Sequence, residues 1–219
     1  MLDLLKVLCV SCLLFVSGCI LNDSKDYSSN TSLPNTIYAK DYYPLNIGAQ
    51  WKYDCGTNTK VTDTIVGDKT IDGVRWFIVE RFFDHYDSLQ IFMTIKENNI
   101  WIATESEGVL IDETRYYYRF DLPVGQTWSV DIQSTLLDSG TCVISEKTET
   151  ITVPAGTYKK CICFIQHLTY KDDTYEIIKT WFAPNVGLVK VQVLEADSDW
   201  NIINNYTHPL QTLTSYYSP

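Results

Sequence analysis

The sequence predicts an all-β domain: a curved antiparallel sheet, built as a half-barrel, barrel or sandwich, with little helix. Three observations predict it. Apolar and polar residues alternate with a period of two in run after run, and no segment after Cys19 keeps a helical apolar period for three turns. The chain carries 15 Tyr, 6 Trp and 8 Phe against 2 Met and 10 Gly, a composition suited to pleated, half-buried surfaces. Clusters of Asp, Asn, Gly and Pro punctuate the runs at short intervals. From Ile37 onward the expectation is at least about one-third strand and under about one-tenth helix.

Residues 1–18 form the first element. The stretch from Val7 to Val16 is uncharged and apolar or small, which fits the apolar region of a signal peptide. It is too short to span a bilayer, which takes ~20 residues. Its end, Val16-Ser17-Gly18-Cys19, resembles the bacterial lipobox. That resemblance implies cleavage before Cys19 and acylation of its thiol with palmitate-type chains. Ile20, standing where an Asp retains such proteins in the inner membrane, implies the outer membrane. One myristoyl-sized chain binds only marginally and each further buried CH₂ adds ~0.8 kcal/mol, so several chains on Cys19 hold a protein firmly.

Residues 19–36 are the lipidated cysteine and a flexible tether. From Leu21 to Thr36 the chain is polar, aperiodic and rich in Ser and Asn. Such a tether spans on the order of 20–25 Å. Asn22, Asn30 and Asn205 stand in glycosylation sequons that carry no meaning beside a lipobox. Residues 37–219 make a single β-rich domain, long enough for a core of its own. The net charge is −10, with Lys6 offsetting Asp3 in the leader. An acidic surface repels nucleic acid, which is excluded as a partner.

Strands follow in order. Val74 to Phe83 is apolar on both faces around Arg75, Glu80 and Arg81, the mark of a central strand. Gln90–Lys96, Ile100–Thr104, Thr114–Phe120 and Tyr175–Phe182 continue the pattern. Val189, Val191 and Val193 alternate with Lys190 and Gln192. Turns are expected at Val66–Lys69, Ile71–Gly73, Lys96–Asn99, Asp138–Gly140, Pro154–Gly156, Lys171–Asp173 and Asp197–Asp199. The segment from Tyr43 to Trp51 echoes the one from Leu122 to Trp128, each with Pro, then Gly, then Trp three residues on. Pro184-Asn185-Val186-Gly187 repeats the first half. The echo marks either duplicated β-units or a common way to begin a strand. Trp51 and Trp128 are expected to be buried structural aromatics near strand ends, so that changing either to Ala costs ~3–5 kcal/mol.

Three segments, YYPLNIGAQWKYD, ITVPAGTYKKC and KTWFAPNVGLVKVQ, together resemble a group of bacterial envelope lipoproteins of uncharacterised function. They span most of the domain. The resemblance implies a curved antiparallel sheet, distantly like the half-barrels of lipoprotein carriers, and implies no catalytic residues. Those carriers pack helices into the mouth of the sheet, and no comparable helix is written here.

Candidate chemistry is sparse. His85, His167 and His208 have no second ligand at metal-binding spacing, and no metal or cofactor is expected. No nucleophile elbow, zincin motif or phosphate loop is present. Asp197, Asp199 and Asn201 mimic the first half of a calcium loop, but Ile202 and His208 occupy its glycine and glutamate positions, so a β-turn is expected. Tyr117 lies between Arg115 and Arg119, a pattern that packs across strands or stacks on a sugar. Of the cysteines, Cys55 and Cys142 are the disulfide candidates. Cys161 and Cys163 share a face with Cβ vectors nearly parallel and are read as free thiols. A hairpin at Pro154–Gly156 sets Cys161 opposite about Glu149 and keeps Cys142 distant. The expectation is a non-enzymatic envelope lipoprotein, held to the membrane through Cys19, whose domain binds or scaffolds an envelope protein or glycan. The alternatives are a hydrophobic-ligand carrier and a hydrolase of envelope polymers.

Overall fold

The computed structural model describes residues 37–56, 59–84, 86–106, 109–129, 137–205 and 211–219. The leader, Cys19 and the tether lie outside the described residues, as do His85 and His208.

Among the described residues a four-residue helix, α1 (Ala39–Tyr42), precedes the strands. These are β1 (Gln50–Asp54), β2 (Lys60–Ile71), β3 (Val74–Phe83), β4 (Tyr86–Lys96), β5 (Asn99–Ser106) and β6 (Val109–Arg119), followed by β7 (Thr127–Ser129), β8 (Leu137–Val153), β9 (Gly156–Tyr170), β10 (Tyr175–Ala183), β11 (Gly187–Ala196), β12 (Ile202–Asn205) and β13 (Gln211–Tyr217). All pair antiparallel in one sheet of order β6-β5-β4-β3-β2-β1-β13-β11-β10-β9-β8-β7, with β12 beside β11. Two meanders are thus joined through the C-terminal strand. The chain passes from β6 to β7, yet these are the two edges and do not pair, so the sheet is curved and unclosed. Its halves nonetheless meet across the concave side. Tyr118 of β6 packs on Phe164 of β9 and Phe182 of β10, with ring centroids 5.0 and 4.7 Å apart.

Local chemistry explains the turns. Asp72 and Gly73 both have positive φ, 49° and 78°, as do Glu97 and Asn98, 53° and 62°; these are the two-residue turns that match strand twist. Strand β3 has the predicted bounds and is paired on both sides. In β11 the buried residues Val189, Val191 and Val193 alternate with half-buried Lys190 and Gln192, as expected. Two expected turns are corrected. Val66-Gly67 is a bulge inside β2, between Ile65 and Gly67, and Asp138–Gly140 lies within β8 beside another register shift. Both places carry small or polar residues, and an extra residue in a continuous strand uses the same backbone freedom as a turn.

The Gly–Trp echo is a structural repeat. Gly48 N–H donates to Ile65 O at 2.8 Å, and Gly125 N–H donates to Ile144 O at 2.9 Å. Trp51 then pairs with Asp63 and Trp128 with Cys142, and β2 and β8 each shift register just after the accepting isoleucine. The two Trp nevertheless end differently. Trp51 lies on a strand flanked on both sides and is wholly buried, whereas Trp128 lies on the edge strand β7 and is half-buried.

Candidate binding face

The concave side has two regions. The first is filled with rings and closed at one end. Around Phe182 stand Tyr43, Tyr118, Phe120 and Phe164, with centroids 4.7–6.1 Å away. Helix α1 seals this end. Asn98 Oδ1 accepts from the Ala39 N–H at 2.6 Å, Asn98 Nδ2 donates to Ile37 O at 2.7 Å, and the Tyr42 hydroxyl donates to Lys160 O at 2.9 Å. The Pro184–Gly187 turn closes against Trp51, whose indole N–H donates to Val186 O. A Cβ at Gly187, where φ is +100°, would meet the Trp51 indole nitrogen at 3.1 Å, so a larger residue there is strained and presses on the indole.

An ion pair is enclosed beside these rings. Asp63 and Arg81, directly opposed on β2 and β3, make two bonds of 2.7 Å. Their side chains are 2% and 18% exposed. The hydroxyls of Tyr43 and Tyr53 ionise far above the usual tyrosine range, first because they are buried; the Asp63 charge comes next for Tyr43, whereas for Tyr53 the neighbouring Tyr43 comes next and Asp63 after it.

The second region lies along β7–β11 and β13. Cross-strand partners share a face. Trp128, Cys142, Gln166, Ile178 and Val193 form one row over five strands. Phe164, Thr180, Val191 and Gln211 form the next. The Tyr118 hydroxyl reaches Thr180 from the opposite wall at 3.5 Å, which fixes this face as the concave one. Further along β10, Glu176 accepts from the Tyr170 hydroxyl at 2.7 Å. Burial raises the Glu176 pKa above the usual glutamate range; the Tyr170 bond opposes that, and the charges of Glu195 and Asp172 add to it. Glu176 and Glu195 stand side by side on paired strands rather than facing each other over a cleft. Among the described residues four buried side-chain atoms lack a hydrogen-bond partner: Asn99 Oδ1, Trp128 Nε1, Gln166 Nε2 and Gln211 Nε2. A buried polar atom left so costs ~1–3 kcal/mol. These amides were invisible to motif reading, since a lone Gln in a strand announces nothing.

The other singled-out residues fall elsewhere. The Asp197 carboxylate accepts from the backbone N–H of Asp199 and of Asn201, both at 2.9 Å, so the calcium-like stretch is a self-capped turn. No group of metal-ligating side chains occurs among the described residues. His167 packs on Trp200 at 4.6 Å, and burial lowers its pKa. Arg119 is bonded bidentately to Asp121 at 2.7 and 3.2 Å. The side chains of Arg115, Tyr116 and Tyr117 lie outside the described residues.

The expected Cys55–Cys142 bridge is corrected: Cys142 is a free thiol, and so are Cys161 and Cys163. Strand β8 meets β13, the neighbour of β1, at its hairpin tip, where the Ala155 N–H donates to Leu213 O at 3.1 Å. Cys142 lies far back along the strand, roughly 30 Å from that tip. Glu149 does pair with Cys161, but bulges in β8 draw Cys142 opposite Gln166, close enough to Cys163 for the two thiols to interact electrostatically. Burial raises all three thiol pKa values, to about 11 for Cys161 and Cys163 and higher for Cys142. Iodoacetamide at pH 7.5 should therefore leave these three unmodified in the native protein and label them all in urea, because the thiolate is the nucleophile. Rapid native labelling, or an intact mass lighter by one disulfide, would contradict this.

No family model and no curated protein matches the chain. Two solved structures are similar in fold. One is a protein described as exported, with a YmcC-like fold, from Bacteroides fragilis: 12% identical, TM-score 0.48, covering 81% of this chain and 99% of that one. The other is a protein described as a lipoprotein from Parabacteroides distasonis: 13% identical, TM-score 0.40, covering 80% and 98%.

Proposed function

We propose that this chain is an envelope lipoprotein, anchored through Cys19, whose β-domain binds or scaffolds a partner and performs no catalysis. The observation that supports the non-catalytic, non-carrier reading is the filling of the concave face. Where a half-barrel carrier keeps an open groove under movable helices, Tyr42, Tyr43, Tyr118, Phe120, Phe164 and Phe182 are all buried here, and α1 is a single turn tied down at both ends. Such an interior is suited to holding a shape. The anchor reading rests on the Val-Ser-Gly-Cys junction and the polar tether behind it. No helix among the described residues is long and apolar enough to cross a membrane.

Fractionation of bacterial cells tests the anchor. The wild-type chain should sediment with membranes and incorporate labelled palmitate. Cys19→Ala should lose the label and either leave the membrane fraction or accumulate unprocessed. Undiminished labelling of the Cys19→Ala chain would refute it.

A further inference from the structure

Four large apolar side chains stand exposed at one end of the sheet, the end from which the tether leaves. They are Tyr38, Ile47, Val124 and Tyr217, between 48% and 62% exposed. The strand directions put them together. Strands β2, β4, β6 and β13 finish at this end, and β1, β3, β5 and β7 begin there, because neighbours run antiparallel. Val124 lies in the connection from β6 to β7, and Tyr217 pairs with Gln50, the first residue of β1. Ile47 comes just before β1, where Asn46 Nδ2 donates to Ser218 Oγ at 3.2 Å. Tyr38 adjoins Ala39, whose N–H donates to Asn98 Oδ1 in the β4–β5 turn. The Lys40 ammonium stands 5.4 Å from the centre of the Tyr38 ring.

We infer that this end of the domain rests on the lipid leaflet that holds Cys19, with Tyr38, Ile47, Val124 and Tyr217 in its interfacial layer. The inference rests on the anchored reading above and adds an orientation to it. The tether decides between the two ends. Ile37 is fixed to the β4–β5 turn, since Asn98 Nδ2 donates to its carbonyl at 2.7 Å. From there residues 19–36 span on the order of 20–25 Å as a flexible coil. Phe82, Ile202 and Ile203 are exposed at the opposite end. That end lies further off by a strand length, on the order of 30 Å for a strand such as β3. The tether therefore brings the first end to the leaflet and must stretch to bring the second. The side chains suit the place. Tyrosine sits at a bilayer interface with its ring in the apolar layer and its hydroxyl in water, and a lysine lays its stem along apolar surface with its ammonium among the headgroups. Tyr38 and Lys40 form such a pair. Asp41, Asp72 and Glu97 are exposed at the same end and the net charge is −10, so anionic headgroups do not attract the domain. The contact is apolar: weak for a free domain, and sufficient for one that its tether keeps at high local concentration.

The test uses the mature lipidated chain, extracted from cells and reconstituted into vesicles of phosphatidylethanolamine with a minor share of phosphatidylglycerol. Cys55→Ser removes the half-buried thiol. Ile47→Cys, Val124→Cys, Tyr217→Cys and, at the opposite end, Ile203→Cys are then labelled one at a time with a nitrobenzoxadiazole dye. Apolar side chains bound to a bilayer surface lie at the boundary of headgroups and acyl chains. Lipids spin-labelled at that depth should quench the first three dyes by about twofold or more and leave the dye of Ile203→Cys unquenched. Adding Tyr38→Ser and Val124→Ser to the Tyr217→Cys chain should remove at least about half of its quenching, while the chain still floats with the vesicles through its lipid. Both side chains are exposed, so the fold does not depend on them. Equal quenching at the two ends, stronger quenching of Ile203→Cys, or dyes unquenched on a chain that floats overturns the inference and leaves the anchored reading standing. Quenching that the two serines do not reduce overturns it too, since the contact then owes nothing to the apolar side chains. A chain whose mass shows no acyl groups and that fails to float overturns both.

Discussion

Asp63→Ala is expected to lower the free energy of unfolding by about 3–5 kcal/mol, because it takes from the largely buried Arg81 guanidinium the carboxylate it holds by two short bonds. The pair is bidentate and its carboxylate is almost wholly buried. Taking both charges from water was itself costly, and their attraction returns that cost only while both are present. The partner-swapped experiment separates loss of the pair from loss of packing. Asp63→Leu/Arg81→Met, which removes both charges and keeps the volume, should recover most of the stability lost in Asp63→Ala. Urea melts at constant ionic strength provide the measurement. If Asp63→Ala costs less than about 1 kcal/mol, the ion pair is solvated rather than enclosed beside Tyr43, Tyr53 and Tyr118.

Trp51→Ala is expected to cost about 3–5 kcal/mol, against a total of only ~5–15 kcal/mol for a domain of this kind. The indole is wholly buried, stacks between Tyr43 and Tyr216 at 5.4 and 5.5 Å, and donates to Val186 O across the closing turn. Its loss would open a cavity, free the carbonyl of the Pro184–Gly187 turn and loosen α1 through Tyr43. Trp128→Ala is the informative contrast. Half-buried on an edge strand, with its N–H unpartnered, it should cost on the order of 1–2 kcal/mol. A denaturation midpoint unchanged in Trp51→Ala would show that the first indole is not structural.

Strand content, the bounds of β3, the start of β10, the hairpin turns at Asp72-Gly73 and Pro154–Gly156, and the opposition of Glu149 to Cys161 were legible in the residues alone. All depend on interactions between neighbours in the chain: a two-residue alternation, a turn that needs positive φ, a hairpin that counts outward from its tip. The bulge at Gly67 was misread as a turn, since the local signal for one extra residue and for a reversal is the same. The Cys55–Cys142 expectation failed because it eliminated nearer pairs without knowing which strands would meet.

What the sequence by itself determined is the all-β class and the order of its elements. Only the tertiary structure decided that Trp51 is buried while its echo Trp128 is not, that Asp63 finds Arg81, and that three N–H donors from distant parts of the chain line one wall. The reason is physical. Alternation tells which residues share a face of one strand, but burial, charge pairing and unmet hydrogen bonds depend on which strands are neighbours and which lie at an edge. That order is set here by β13 returning between β11 and β1, and its pairing with β1, Gln50 with Tyr217, joins the two ends of the domain in a way that no local pattern encodes.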